Sequence, residues 1–139
     1  MKLQTYLTFN GNCEEAMTFY KDVLQGEFTT MMRFSEAPPS AFEVPAEYQN
    51  QVMHCTLEAQ GATLMASDTI EPDKLNMGSN YSLSVGAESE AQGAQIFNQL
   101  GEGGQVVMPY EDAFWGGKFG MLVDKFGIQW MVSSDHKPE

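Results

Sequence analysis

The stretch of sequence that decides the fold is MPYEDAFWGGKFGMLVDKFGIQWMVS, residues 108–133. Two runs within it, residues 119–124 and 128–133, are rich in apolar and aromatic residues and predict strands. Residues 105–109 predict a further strand just before them. Gly116 and Gly117 lie between the first and second of these strands, and glycine permits the backbone angles that a loop needs. The stretch therefore predicts three consecutive strands of a sheet.

The sequence before these strands predicts a helix that follows another strand. Ser89 and Gln92 have the spacing of a capping box, in which side chains satisfy backbone N–H groups at a helix start. Apolar residues follow at helical spacing, and glycines from Gly101 onward predict the end of the helix. Residues 80–85 predict the strand that comes first. Residues 80–133 thus predict the order strand, helix and three strands, which is a βαβββ module.

The first half of the chain repeats this order. Asn12 and Glu15 again have capping-box spacing, and an amphipathic helix pattern follows them. Gln60-Gly61 has the form of a two-residue hairpin turn. The predicted strands are residues 2–9, 27–34, 51–59 and 62–67. We therefore predict an α+β fold, in which two βαβββ modules form one domain of residues 1–139. The expected parts are module one at about 1–68, a polar linker at about 69–79, module two at about 80–133 and a frayed tail at 134–139.

Composition and charge exclude several classes of function. The chain has 139 residues, 7 Lys and Arg against 19 Asp and Glu, and a net charge of −12. Scattered cations on an acidic chain do not suit phosphate neutralisation, so no nucleic-acid partner is expected. No apolar run approaches the roughly 20 residues that span a bilayer, and the first residues do not resemble a signal peptide. Two cysteines are too few for a disulfide framework, so we expect a cytoplasmic protein.

The predicted hairpin turn also fixes which side chains share a face. Ala59 then pairs with Ala62, and Thr56 lies opposite Met65, while side chains alternate between the two faces of a strand. One face carries His54, Thr56, Met65 and Ser67, and the other carries Met53, Cys55, Leu57 and Leu64. The second set is apolar and is expected to lie under a helix. The first set predicts a ligand face on which His54 is the leading polar residue. On the first strand, the residues expected on that ligand face are Thr5, Leu7 and Phe9.

Three runs carry a resemblance to a known family: FNGNCEEAMTFYKDVL (9–24), HCTLEAQGATLMASD (54–68) and residues 108–133. They resemble the PhnB-like branch of the vicinal-oxygen-chelate superfamily, which includes glyoxalase I, bleomycin-resistance proteins and extradiol dioxygenases. The resemblance covers about residues 3–133. It implies paired βαβββ modules, usually in a homodimer, with a cavity on the concave side of each sheet.

The resemblance also implies where metal-using relatives hold a divalent ion. Four ligands, on the first and fourth strands of each module, would fall at or near Thr5, Met65, Asn80 and Met131. Zinc takes Cys, His or carboxylate ligands, and nickel, iron and manganese take imidazole and carboxylate. Hydroxyl, amide and thioether groups do not match that preference. We therefore expect no metal cofactor, and glyoxalase-type lyase, isomerase or dioxygenase chemistry is kept as the alternative.

The predicted ligand-binding residues combine the hairpin face with the positions taken from the resemblance. They are His54, Thr56, Met65, Ser67, Asn80, Trp115, Phe119 and Met131. His54 could be a catalytic acid or base, or a structural histidine held by Ser67. Trp115 and Phe119 could form a lid over a ligand, a dimer contact or a cap on the core. Arg33 and Lys118 could anchor an anionic group or face solvent.

The cysteines and the second tryptophan have their own expectations. Cys13 lies near a predicted helix N-terminus, where the pKa of a thiol is lowered, although no catalytic dyad is visible beside it. Cys55 is predicted to be buried and inert. Trp130 shares a strand face with other apolar residues and is predicted to pack in the core.

Two functions from different classes follow. The first is an enzyme of the glyoxalase-like superfamily that acts on a small oxygenated substrate, with His54 as its acid, base or anchor. The second is a non-catalytic protein that sequesters a small molecule, which could be cationic, between protomers and without a metal, as bleomycin-resistance relatives do. A lower alternative is the 3-demethylubiquinone methyltransferase label that some members of this branch carry. The turn Asn10-Gly11-Asn12 holds a single glycine, which gives little support to a site for a nucleotide-derived methyl donor.

Overall fold

The computed structural model describes residues 1–38 and 44–135. The chain divides into two compact units, Met1–Asn76 and Met77–Glu139, and this division falls within the predicted linker. Residues 39–43, and most of the predicted tail, including His136, lie outside the described residues.

The first unit has the predicted order of elements. A strand comes first, then a helix and three strands, with two short 3₁₀ turns, Phe34–Glu36 and Ala46–Tyr48, before the hairpin. The sheet order is β1-β4-β3-β2, in which β1 runs parallel to β4 and the other pairs are antiparallel. The elements are β1 (Thr5–Phe9), α1 (Cys13–Leu24), β2 (Glu27–Arg33), β3 (Val52–Ala59) and β4 (Ala62–Asp68).

The second unit repeats this topology with the sheet order β5-β8-β7-β6. Its elements are β5 (Leu83–Ala87), α2 (Glu90–Gly101), β6 (Gln105–Asp112), β7 (Lys118–Val123) and β8 (Gln129–Ser134). The α+β prediction of two βαβββ modules is confirmed. Several bounds differ from the prediction. β1 begins at Thr5 rather than at residue 2, β5 begins at Leu83 rather than at residue 80, and β6 ends at Asp112 rather than at residue 109. Ser134 is a buried strand residue rather than part of a frayed tail.

Helix α1 packs on one face of the first sheet. Its buried residues recur at helical spacing and meet a buried face of β1, β3 and β4. That face includes Leu7 and Phe9 of β1, which pair with Ala66 and Asp68. The prediction that Leu7 and Phe9 lie on the ligand face is therefore wrong. These side chains are apolar and bury under the helix, while Tyr6 takes the opposite face.

A buried carboxylate, and not the predicted capping box, fixes the start of α1. Within the described residues, the Asn12 side chain makes no capping hydrogen bond. Instead, Asp68 Oδ1 accepts hydrogen bonds from the backbone N–H groups of Gly11, at 2.9 Å, and Cys13, at 3.0 Å. Asp68 Oδ2 accepts another from the Val52 N–H at 3.0 Å. The end of β4 thus holds the first turn of α1 and the first residue of β3 together.

The second unit uses a predicted cap and a second buried carboxylate. Ser89 Oγ accepts a hydrogen bond from the Gln92 N–H at 3.0 Å, as the capping-box spacing predicted. Asp124 follows β7 and accepts the Trp130 indole N–H at 2.8 Å, and Trp130 is buried as predicted. Both helices have 12 residues, and within the described part of the chain no helix is long and apolar enough to cross a membrane.

Strand β6 is an edge strand whose pairing with β7 is irregular. The register shifts between Val106 and Met108, and again between Met108 and Glu111. Pro109 lies inside the second shifted segment, where it has no N–H to give to a neighbouring strand. The apolar side chains of Val106, Val107 and Met108 are exposed along this edge.

We predict that Asp68→Asn lowers the free energy of unfolding by about 2–3 kcal/mol, because the amide NH₂ cannot accept from the buried Val52 N–H. Urea unfolding followed by circular dichroism measures this. Asp73→Asn, in an exposed turn, is the matched control and should change stability by no more than about 0.5 kcal/mol. Equal stability of the two variants would contradict the assigned role of Asp68.

Candidate functional site

A chain of hydrogen bonds runs across the face of the first sheet that α1 does not cover. We call this face the helix-free face. The Tyr6 hydroxyl lies 3.1 Å from His54 Nδ1, and His54 Nε2 lies 3.0 Å from Thr56 Oγ1. The rings of Tyr6 and His54 are stacked, with centroids 5.6 Å apart and planes at 28°. These contacts join β1 to β3 across β4, where Met65 pairs with both Tyr6 and Thr56.

The sheet register places the predicted hairpin residues on this same face. Thr56 pairs with Met65 and Ala59 pairs with Ala62, as the turn predicted. The hydrogen-bonding partners of His54 are Tyr6 and Thr56. They differ from Ser67, the partner expected if His54 were a structural histidine. The helix-free face is formed by Tyr6 and Thr8 of β1, Thr30 and Met32 of β2, His54 and Thr56 of β3, and Met65 and Ser67 of β4.

The sequence prediction missed Tyr6, which is one end of the hydrogen-bonded series Tyr6–His54–Thr56. A usable signal was present, because Leu7 and Phe9 are strongly apolar and would be assigned to the core on composition alone. Alternation along β1 then places Tyr6 on the opposite face. Tyr6 is 47% exposed, and the contact between its hydroxyl and His54 is open to solvent.

The chain of hydrogen bonds can run in either direction. A neutral imidazole has one N–H donor and one acceptor nitrogen, and each hydroxyl can both donate and accept. If Nε2 of His54 carries the proton, His54 donates to Thr56 and accepts from Tyr6. If Nδ1 carries the proton, His54 donates to Tyr6 and accepts from Thr56, and the distances are equally consistent with this. A ligand that accepts from Tyr6, or donates to it, would select one tautomer of His54. The arrangement therefore suits the recognition of an oxygen or nitrogen group and the transfer of a proton along the chain.

In the second unit, the corresponding helix-free face carries aromatic and thioether groups. Phe119 pairs with Ser133, and Met121 pairs with Met131, which in turn pairs with Ser84 of β5. The predicted positions Phe119 and Met131 therefore share one face of this sheet.

The predicted aromatic loop is a tight hairpin turn between β6 and β7. The Ala113 N–H donates to the Gly117 carbonyl at 2.9 Å, and the Gly116 N–H donates to the Ala113 carbonyl at 3.0 Å. Gly116 and Gly117 have φ values of 105° and 70°, which explains why glycine occupies these positions. Trp115 is 63% exposed, so it does not cap the core of its unit.

Asn80 is not on either sheet. It is exposed in the segment before β5, where Gly78 has a positive φ and the Tyr81 hydroxyl donates to the Met77 carbonyl at 3.0 Å. This local turn delays the strand to Leu83. The prediction of Asn80 as a strand residue facing a ligand was therefore wrong in its placement.

The positions that the resemblance implies for a metal do not fit one. Thr5 pairs with buried Leu64, so the β1 residues on the helix-free face are Tyr6 and Thr8. Hydroxyl and thioether groups occupy the β1, β4 and β8 positions, whereas zinc, nickel, iron and manganese prefer imidazole or carboxylate. Among the described residues, no three His, Cys, Asp or Glu side chains are grouped so that they could hold a metal ion.

Cys13 is a buried thiol whose pKa is raised rather than lowered. It is fully buried, and its Sγ lies 3.9 Å from the Sγ of Cys55. The hydrogen bond to Cys55 and burial raise the pKa of the Cys13 thiol, and the negative charge of Asp68 adds to this. The expected lowering of the pKa by the helix N-terminus is therefore wrong. The first N–H group of α1, that of Cys13, donates to the negatively charged Asp68, whose charge raises the pKa of the thiol.

The two cations considered as anchors are both engaged. Arg33 Nη2 lies 2.9 Å from Glu14 Oε2, and Arg33 Nη1 donates to the Asn50 carbonyl at 2.9 Å. Lys118 Nζ lies 3.3 Å from Asp112 Oδ1. The positive charge of each is therefore paired within the protein.

We predict that Cys13 and Cys55 do not react with Ellman's reagent in the native protein, because both are buried and the pKa of Cys13 is raised. Raising the pH from about 7 to about 9, which ionises an ordinary thiol, should not start the reaction. Both thiols should react after unfolding in urea, which is the control. Fast native labelling of Cys13 would contradict the burial.

Several solved structures are similar to this chain. Protein PA1353 from Pseudomonas aeruginosa is 36% identical with a TM-score of 0.87, and the match covers 99% of each chain. The PhnB protein from Bacillus cereus is 30% identical with a TM-score of 0.80, over 96% of this chain and 99% of the other. A glyoxylase/bleomycin resistance protein/dioxygenase domain from Frankia sp. EAN1pec is 11% identical with a TM-score of 0.69, over 100% of this chain and 94% of the other, which shows a shared fold.

The sequence comparisons agree with the structural ones. Protein YjdN from Escherichia coli (strain K12) is 30% identical over 140 residues, which covers 96% of this chain and 95% of YjdN. The sequence model of 3-demethylubiquinone-9 3-methyltransferase matches residues 1–133. The resemblance inferred from the sequence runs is confirmed. The chain belongs to the 3-demethylubiquinone-9 3-methyltransferase family, is similar to the PhnB protein, and shares the fold of a glyoxylase/bleomycin resistance protein/dioxygenase domain.

Proposed function

We propose that this protein binds a small oxygenated molecule on the helix-free face of its first sheet and that it does so without the divalent metal of its superfamily. The observation that carries the proposal is the hydrogen-bonded chain Tyr6–His54–Thr56. Because this chain can present a donor or an acceptor at the Tyr6 hydroxyl, it supplies a polar anchor on a face that is otherwise hydroxyl and thioether. Met32 and Met65 add flexible apolar contacts beside it.

The same observation supports an acid–base role for His54 as a second candidate function. An imidazole that contacts two hydroxyls can accept a proton at one nitrogen and release one at the other. In this case Tyr6, which is the exposed end of the chain, would pass the proton to or from the substrate. An enzyme and a binding protein would use the same residues, and turnover distinguishes them.

The other two alternatives have less support from the residues. Glyoxalase-type and dioxygenase-type reactions need a metal that hydroxyls and thioethers do not suit. A methyltransferase would bind its nucleotide-derived donor at a strand-to-helix turn whose backbone N–H groups face the ligand. Here the turn N–H groups of Gly11 and Cys13 already donate to Asp68.

We also propose that the protein forms a homodimer, as the resemblance implies. Size-exclusion chromatography with light scattering measures the mass of the assembly directly, and a monomer would remove this part of the proposal.

We predict that Tyr6→Phe weakens binding of a small oxygenated ligand about 3- to 10-fold, because it removes one hydrogen bond and keeps the ring stacked on His54. Ligands are found by NMR screening of a library of hydroxy and keto compounds, with the His54 and Thr56 signals as reporters. Tyr48→Phe is the control, since Tyr48 lies in a separate turn.

His54→Ala should abolish this binding and change the free energy of unfolding by no more than about 1 kcal/mol. If His54 is catalytic, the same variant removes turnover of the identified compound. Compounds that bind equally well to wild type, Tyr6→Phe and His54→Ala would contradict the proposed site.

We predict that the protein purified without chelators, and then exposed to nickel, zinc, manganese or iron, retains no stoichiometric metal. Inductively coupled plasma mass spectrometry after desalting measures this. A stoichiometric, tightly held metal would overturn the ligand analysis and make the metal-dependent reactions the leading hypothesis.

A further inference from the structure

We propose a second binding site, in the second unit, for an organic ammonium ion. The site is formed by Phe114, Trp115 and Phe119 together with the carboxylate of Glu111. It shares no residue with the chain Tyr6–His54–Thr56, so either proposal can fail without the other.

The aromatic rings meet at steep angles and remain accessible. The centroids of Phe114 and Trp115 are 4.8 Å apart with planes at 83°, and those of Trp115 and Phe119 are 5.6 Å apart with planes at 65°. Phe114 is 96% exposed and Trp115 is 63% exposed. Rings that meet edge to face form walls rather than a flat stack. An alkylated ammonium ion binds against such walls, because ring faces carry negative charge density.

The hairpin turn holds the walls in place. Two backbone hydrogen bonds close residues 113–117, and Phe119 lies in the regular part of β7 beside Ser133. Trp115 therefore contacts a side chain that the sheet itself positions. The loop therefore loses less conformational entropy when a ligand binds than an unstructured loop would.

Glu111 supplies the charge next to these rings. It lies directly opposite Phe119 in the antiparallel pair, and residues opposite each other share a face with Cβ atoms about 5 Å apart. The neighbouring cation, Lys118, is paired with Asp112. In the part of the chain that the structure describes, Glu111 has no ion pair, so its charge is available to a ligand.

The charge of the surroundings favours a cation over an anion. The net charge of the chain is −12. Among the described residues of the second unit, Lys118 and Lys125 are the basic side chains, and Lys125 already lies 5.4 Å from the Phe126 ring centroid. They are outnumbered by the carboxylates Glu88, Glu90, Glu102, Glu111, Asp112, Asp124 and Asp135. Such a field attracts cations and repels phosphates and carboxylates.

The chemistry of the group selects an organic cation rather than a metal ion. Calcium takes six to eight oxygen ligands and magnesium demands octahedral oxygen geometry, and a single carboxylate supplies neither. Aromatic faces instead favour large, weakly hydrated ammonium ions such as those with methyl groups on nitrogen. We therefore assign the ligand class as a quaternary or highly alkylated ammonium compound.

Choline, compared with its uncharged carbon analogue 3,3-dimethylbutan-1-ol, tests the assignment. The two probes have the same shape and differ in charge. Saturable binding of choline, measured by broadening of its methyl NMR signal, should be at least about 5-fold tighter than that of the analogue, which corresponds to a cation–π contribution of about 1 kcal/mol. Equal binding of the two probes, or no saturable binding of choline, would overturn the proposal.

Variants locate the binding on the named residues. Glu111→Gln and Trp115→Leu should each weaken choline binding about 3-fold or more, and neither side chain is buried, so the fold is not at stake. Glu102→Gln, an exposed carboxylate that follows α2 in the same unit, is the matched control for loss of one negative charge. If Glu102→Gln weakens binding as much as Glu111→Gln, the attraction belongs to the overall charge, and the site is refuted.

Discussion

The position of one buried carboxylate determines much of the first unit. Asp68, at the end of β4, accepts from N–H groups at the start of α1 and the start of β3. These bonds tie the start of α1 to the sheet, and the buried side chains of α1 cover the face that contains Leu7 and Phe9. The residues of the proposed site occupy the opposite face because strand side chains alternate. Charged hydrogen bonds to buried N–H groups are strong enough to hold such a connection.

The two units share a topology and differ in chemistry. The helix-free face of the first sheet carries an imidazole and several hydroxyls, which form directed hydrogen bonds with one another. The corresponding face of the second sheet carries Phe119, Met121 and Met131, which contribute area and polarisability. The repeated scaffold therefore carries two chemically different faces, and the side chains placed on it, rather than the fold, would decide which ligand each face suits.

The sequence predicted features that depend on local patterns. Gln60-Gly61 set the register of β3 and β4, and with it the shared face of His54 and Thr56, because a two-residue turn leaves one pairing. It did not predict features that depend on distant residues. The pKa of Cys13 follows from Cys55 and Asp68, which are far away in the sequence. No local pattern contains that information.

The irregular edge strand β6 has a consequence for self-association. An edge with continuous N–H and C=O groups invites a strand from another molecule, and exposed apolar side chains strengthen that contact. Pro109 removes one donor from β6, and the register shifts around Met108 interrupt the regular spacing of the others. The exposed side chains of Val106 and Val107 therefore lie beside a backbone that cannot template a regular new strand. The register shifts and the proline thus oppose the growth of intermolecular sheets from an edge strand that exposes apolar side chains.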